Sequence, residues 1–214
     1  MANDRHKNFI DGLVENHGPV KPLMTAGKRT ILAFMAYPLI IAAIMLYIHP
    51  FRANFLGAFS NILFVIEMLA GAFSISYFML FSFTSVIPGS YNKKSIFIAL
   101  GSFLILALLI VKGIYFPHKA ASMAGKRPSC YYEVLTLGII PFLHLIYLCN
   151  KGVMFFKFRT LMGAAFASAA IPSILMHIAC MYDPFHILDH HILPVIIFTA
   201  VASILSYIVV KRRI

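Results

Sequence analysis

The stretch Ile171 to Lys211, IPSILMHIACMYDPFHILDHHILPVIIFTAVASILSYIVVK, decides the fold. An apolar run leads out through His177 and Cys180. A short polar loop follows, with Asp183, Pro184, His186, Asp189, His190 and His191. A second apolar run returns and stops at Lys211, Arg212 and Arg213. Each run is close to the ~20 residues that a helix needs to cross a hydrocarbon layer of ~30 Å. Backbone groups cannot stay unpaired in lipid, so both runs read as transmembrane helices. The hairpin therefore carries thiol, imidazole and carboxylate groups to one side of a bilayer.

The rest of the chain extends this reading. Of 214 residues, 61% are hydrophobic and only 12% are charged, against roughly 25% charged in a soluble domain. Six apolar segments are expected, at Thr30 to Ile48, Asn61 to Val86, Ser95 to Val111, Tyr131 to Cys149, Leu161 to Met181, and Ile192 to Val210. The fold class is all-α: an integral membrane bundle of six transmembrane helices (residues 30–214) behind a short cytosolic amphipathic N-terminal arm (residues 1–29). Pro38, Pro141 and Pro172 fall inside segments and mark expected kinks. Gly163, Ala167 and Ala170 give the fifth segment a small-residue face suited to close helix packing.

The net charge of +11 serves orientation rather than nucleic-acid binding, because cytoplasmic loops carry the excess of Lys and Arg. With the N-terminus inside, inner segments hold 13 basic residues, from Arg5, Lys7, Lys21, Lys28 and Arg29 to the terminal cluster, and outer loops hold 5. The expected location is a bacterial inner membrane, with both termini cytoplasmic. Cys130 and Cys180 then lie on the outer side, which is oxidising, and Cys149 lies on the inner side.

Within the arm, Phe9, Ile10, Leu13 and Val14 recur at helical spacing, flanked by Asp11 and Glu15. Such a short helix either lies on the membrane surface or docks a cytosolic partner through a few apolar anchors. Three cysteines without a C-x-x-C pair give neither a disulfide framework nor a zinc-finger spacing. Cys130 and Cys180 nonetheless share a side with a dense imidazole cluster. His177 stands three residues before Cys180, on the same helix face. Asp183, His186, His190 and His191 follow within reach. Thiolates with imidazoles suit a soft or borderline divalent cation; two thiols alone suit a disulfide.

Glu67 and His144 are the polar groups deepest in the segments. A buried carboxylate is a functional candidate, or else a protonated acid bonded to a neighbouring helix. His144 reads as a satisfied core histidine. A membrane transporter for a metal or small solute is the competing class, although its polar groups would gather near the midplane. No H-E-x-x-H, phosphate-cradling glycine loop or serine elbow is present, so no enzyme is expected. No cofactor is implied with certainty.

These residues also carry a resemblance. The opening DRHKNFIDGLVENHGPVKPL resembles that of the NrsF family, membrane-bound negative regulators of an extracytoplasmic-function sigma factor. Pro88-Gly89 after the second segment, Ser129-Cys130 before the fourth, and MGAAFASAAIPSILMHIACMYDPFHILDHHILP around the fifth are similar to the family's pattern in order and spacing. This chain departs from the pattern in lacking tryptophan and in its histidine-rich loop. The resemblance implies a sigma factor held at the membrane by the arm, released by a signal at the outer face, with sensing attached to Cys130 and Cys180. Membrane lipid and a sigma factor are the implied partners, with no direct nucleic-acid contact.

Overall fold

A computed structural model describes residues 23–52, 55–90, 93–115, 127, 129–152, 154 and 156–211. The arm residues Phe9, Ile10, Asp11, Leu13, Val14 and Glu15 lie outside the described residues. The helices are α1 (Ala26–Ile48), α2 (Ile62–Thr84), α3 (Lys93–Tyr115), α4 (Cys130–Asn150), α5 (Lys157–Ala179), α6 (Pro184–Ile187) and α7 (Leu193–Lys211). A 3₁₀ turn, Phe55–Ser60, precedes α2, and a π turn, Leu188–Ile192, joins α6 to α7. Counting Pro184–Val209 as one span, six helices are long and apolar enough to cross a membrane. Pro38, Pro141 and Pro172 each lie inside a helix.

Helix α5 is the centre of the bundle. It packs against α2, α4, α7 and α1, while α3 covers α2 from the other side. Small residues permit this. A Cβ on Gly138 of α4 would stand 3.2 Å from the Ala169 Cα of α5, and one on Gly163 would stand 3.2 Å from the Phe78 carbonyl of α2. Backbones this close gain dispersion contacts that lipid cannot replace. Serine hydroxyls add interhelical bonds: Ser82 Oγ donates to the Thr160 carbonyl at 3.1 Å, and Ser74 Oγ to the Ala99 carbonyl at 3.1 Å. The outer faces stay apolar, with Ile31, Leu39, Leu104 and Leu205 exposed. That is the pattern of a protein solvated by hydrocarbon.

Several boundaries differ from the sequence reading: α3 runs on to Tyr115 past Val111, and α5 starts at Lys157, ahead of Leu161. Helix α1 begins at Ala26, four residues ahead of Thr30, so the end of the proposed arm is already helical. The stretch between the last two segments is mostly helix, not loop. Asp183, in extended backbone, caps α6 by accepting from the His186 N–H at 2.9 Å, and Pro184 takes the first helical position. The chain then runs helically through the π turn into α7. Cys180, Met181, Tyr182 and Asp183 alone link α5 to this last span.

Candidate functional site

The site lies where the start of α4, the end of α5 and the π turn converge. Cys130 is the first residue of α4, and Cys180 caps the end of α5. Their sulfurs are 3.0 Å apart, and both thiols are free and buried. His186 Nε2 stands 3.3 Å from Cys180 Sγ. With His191, one ligand atom from each of Cys130, Cys180, His186 and His191 lies within 4.8 Å of every other. All four residues are buried.

The π turn explains how His186 and His191 share this face. Residues five apart diverge on an α-helix, where neighbours on a face are three or four apart. A π turn closes i to i+5, and here the Leu193 N–H bonds the Leu188 carbonyl. The wider turn swings His191 beneath His186, with ring centroids 5.2 Å apart. Ser173 Oγ of α5 donates to the His191 carbonyl at 2.9 Å and pins the turn.

Both His191 ring nitrogens are buried without a hydrogen-bond partner. Cys180 is a polar group near enough to interact with the ring, so a ligand that fills the imidazole lone pair would offset the cost of its burial. A tetrahedral zinc-like ion, with metal–sulfur bonds of ~2.3 Å, separates two thiolates by about 3.8 Å. A disulfide holds them at about 2.05 Å. The 3.0 Å gap lies between, so either event needs a shift of about 1 Å. The Cys180 thiol is pushed below its ordinary range, first by its hydrogen bond with Cys130, against the opposing effect of burial.

Other sequence-selected residues surround these four. His177 is fully buried one layer deeper; its Nδ1 pairs with the Ser173 carbonyl at 3.0 Å, and its ring lies 5.1 Å from His191. Its Nε2 has no partner. His190 stacks on His186 at 4.3 Å and sits 3.2 Å from exposed Asp189. Asp183 is occupied as the α6 cap. The four-residue cluster excludes these three.

Charged groups that residue type alone did not single out frame the site. Arg127 pairs with Glu133 at 3.4 Å and donates through Nη2 to the Met45 and His49 carbonyls at the end of α1, each at 3.1 Å. The Arg127 carbonyl in turn accepts from Cys130 Sγ at 3.4 Å. Ser129 donates to Glu133 at 2.6 Å. Arg52 is buried, its N–H bonded to the Ala179 carbonyl at 3.1 Å. Burial lowers its pKa, while Cys180 and Tyr182 nearby favour the cation. The Tyr182 hydroxyl donates to buried Glu67 at 2.6 Å, with the second carboxyl oxygen at 2.7 Å. Burial, then this carboxyl, drives the phenol pKa up, so Tyr182 remains a donor. The one available sequence signal was position: Arg127 and Glu133 each stand three residues from Cys130, and Tyr182 stands two from Cys180.

His144 departs from the sequence reading. It is exposed on the flank of α4, bonded through Nδ1 to the Tyr37 hydroxyl of α1 at 2.9 Å. It lies toward the end of the bundle away from the thiols. Glu67 and His144 thus belong to separate polar pairs, with Tyr182 and with Tyr37.

Six apolar helices around a buried Cys₂His₂ cluster define an all-helical protein of multi-pass membrane type. The chain belongs to the NrsF family, described as negative regulator of sigma F, whose model matches residues 13–211. It is thus a member of a family of anti-sigma factors, with a sigma factor as the family's partner. No match was found among curated proteins or solved structures.

Proposed function

We propose that this protein is a membrane anti-sigma factor of the bacterial inner membrane, with both termini cytoplasmic. Its arm holds an extracytoplasmic-function sigma factor through Phe9, Ile10, Leu13 and Val14, with Asp11 and Glu15 meeting basic sigma surface. A soft or borderline divalent cation, or oxidation, at the outer thiol cluster triggers release. The convergence of Cys130, Cys180, His186 and His191 is the observation that carries the reading.

The ligand chemistry balances. A divalent cation meeting two thiolates and two neutral imidazoles forms a neutral site, and binding releases the thiol protons. In the oxidative case a peroxide takes two electrons and two protons from the thiols, leaving one disulfide and two waters. Either event fixes the start of α4 to the end of α5. Cys130 sits on the Arg127 carbonyl, and Arg127 grips the end of α1. Helix α1 runs directly back to the arm, so movement at the thiols has a rigid element through which to act.

The test follows sigma-dependent transcription while cadmium and peroxide are titrated. Cys130→Ser with Cys180→Ser should abolish both responses, and deletion of residues 1–20 should make transcription constitutive. His191→Ala should remove the cadmium response and keep the peroxide response. A double cysteine variant that still responds fully to both agents sinks the sensor. Low transcription after the deletion sinks the docking arm.

A further inference from the structure

At the end of the bundle opposite the thiols, α1 and α4 splay apart and leave a groove of about 650 Å³. Leu32, Ala33, Ala36 and Leu148 form its apolar walls, and Tyr37 with His144 lines it. Arg29 and Lys151 also line it. By the helix rise, Arg29 and Tyr37 are ~12 Å apart along α1, close to the depth of one hydrocarbon leaflet.

Arg29 is the unexplained group. It is only 7% exposed, and its Nη2 is buried with no hydrogen-bond partner. Nη1 reaches the Leu148 carbonyl at 3.4 Å, a long bond, and the guanidinium lies 5.8 Å from the Phe83 ring centroid. Among the described residues, no acidic side chain lines the groove. Lys151 is exposed, with Nζ 4.7 Å from the Tyr147 ring centroid. A buried guanidinium with a free donor is matched by an anion that can accept two hydrogen bonds, and phosphate does so. A second groove, between α4 and α7, offers a contrast: its lining, including Ile139, Phe142 and Leu205, carries no charge and no orphaned donor.

We propose that the α1–α4 groove is a binding site for one anionic phospholipid. The lipid phosphate meets Arg29 and Lys151, and an acyl chain follows Leu32 and Ala36 to the Tyr37–His144 pair. Apolar lining below and cationic lining at the water end match the amphipathic shape of such a lipid. The groove also touches Leu23 and Met24, so the lipid sits beside the first described residues, next in sequence to the arm.

The test uses the full chain in detergent, with native mass spectrometry and thermal melting against phosphatidylglycerol and phosphatidylcholine of the same acyl chains. The parent should retain phosphatidylglycerol preferentially. Lys151→Gln should weaken that preference about fivefold, the contribution of one basic residue near an anionic lipid. Arg29→Gln should weaken it further, and Ala36→Phe should block retention by filling the groove. Lys93→Gln, which removes an exposed charge outside the groove, should leave the preference unchanged. Should Arg29→Gln fail to fold, Lys151→Gln and Ala36→Phe carry the test. Equal retention of both lipids, or a loss with Lys93→Gln matching that with Lys151→Gln, overturns the site in favour of diffuse attraction. Full retention by Ala36→Phe overturns it too. Loss of sigma-factor binding in Ala36→Phe with lipid retention intact would mean that the groove takes protein instead.

Discussion

At the thiol end, Arg127, Glu133, Cys130, Cys180 and Ser173 tie α1, α4, α5 and the π turn into one interlocked set of buried polar contacts. At the other end, α1 and α4 are joined by the 3.4 Å Arg29–Leu148 contact and the Tyr37–His144 bond, with a groove between them. The contrast shows where a six-helix bundle can hold a switch. A trigger needs its groups pre-placed within about an ångström, and neighbours that transmit a shift rather than absorb it. A docking region needs room. The same two helices border both: Arg127, just ahead of α4, grips the end of α1 at one end, and at the other a groove separates them.

The largest expected effect comes from breaking the interlock. Arg127→Met leaves buried Glu133 with Ser129 as its remaining partner, and removing one member of a buried ion pair costs roughly 3 kcal/mol or more. Arg127→Met combined with Glu133→Leu should recover much of that loss. Chemical unfolding in mixed micelles measures both. A single-variant cost below ~0.5 kcal/mol would mean that the pair is solvated and that the thiol end is no tighter than the groove end.

A smaller effect is expected at Tyr182→Phe. Glu67 is 1% exposed and accepts from the Tyr182 hydroxyl. Leaving a buried carboxyl without that donor costs ~1–3 kcal/mol. Tyr182 lies in the four-residue link between Cys180 and α6, so the variant should also loosen the thiol pair. Faster reaction of Cys180 with a membrane-impermeant maleimide would report this. Unchanged stability together with an unchanged labelling rate would show that Glu67 is satisfied without the phenol.

The six spans were legible because hydrocarbon imposes a length and forbids unpaired backbone, and both constraints act on local composition. The meeting of Cys130 with Cys180 was legible only as a shared side, since counting spans gives sidedness and not distance. The helical nature of Pro184–Ile192 was missed for a physical reason. A hydropathy window sees polar residues and reads a loop, yet Asp183-Pro184 is a capping signal that starts a helix whatever its polarity. The π turn leaves no composition mark at all, and without it His186 and His191 would not have been paired. Arg127 and Arg52 looked like ordinary loop cations counted for orientation; their burial is a tertiary fact. His144 went the other way. Its apolar neighbours suggested the core, but α1 and α4 diverge there and leave it exposed.

The smallest expected effect tests the open end. Tyr37→Phe removes the hydroxyl that bonds His144 and keeps the ring, which stays 6% exposed at the groove wall. Interhelical hydrogen bonds between side chains in membrane proteins average ~0.6 kcal/mol, because the unfolded state in the membrane also finds partners. His144 is exposed on the groove side, so its ring is free to turn toward a new partner. The stability loss should therefore stay under ~1 kcal/mol in the same unfolding assay. Phosphatidylglycerol retention should hold, because the phosphate contacts are at Arg29 and Lys151. A loss above ~2 kcal/mol would mean that this single bond closes the end of the bundle. The two ends would then be equally locked, and the groove would have to open before it could admit an acyl chain.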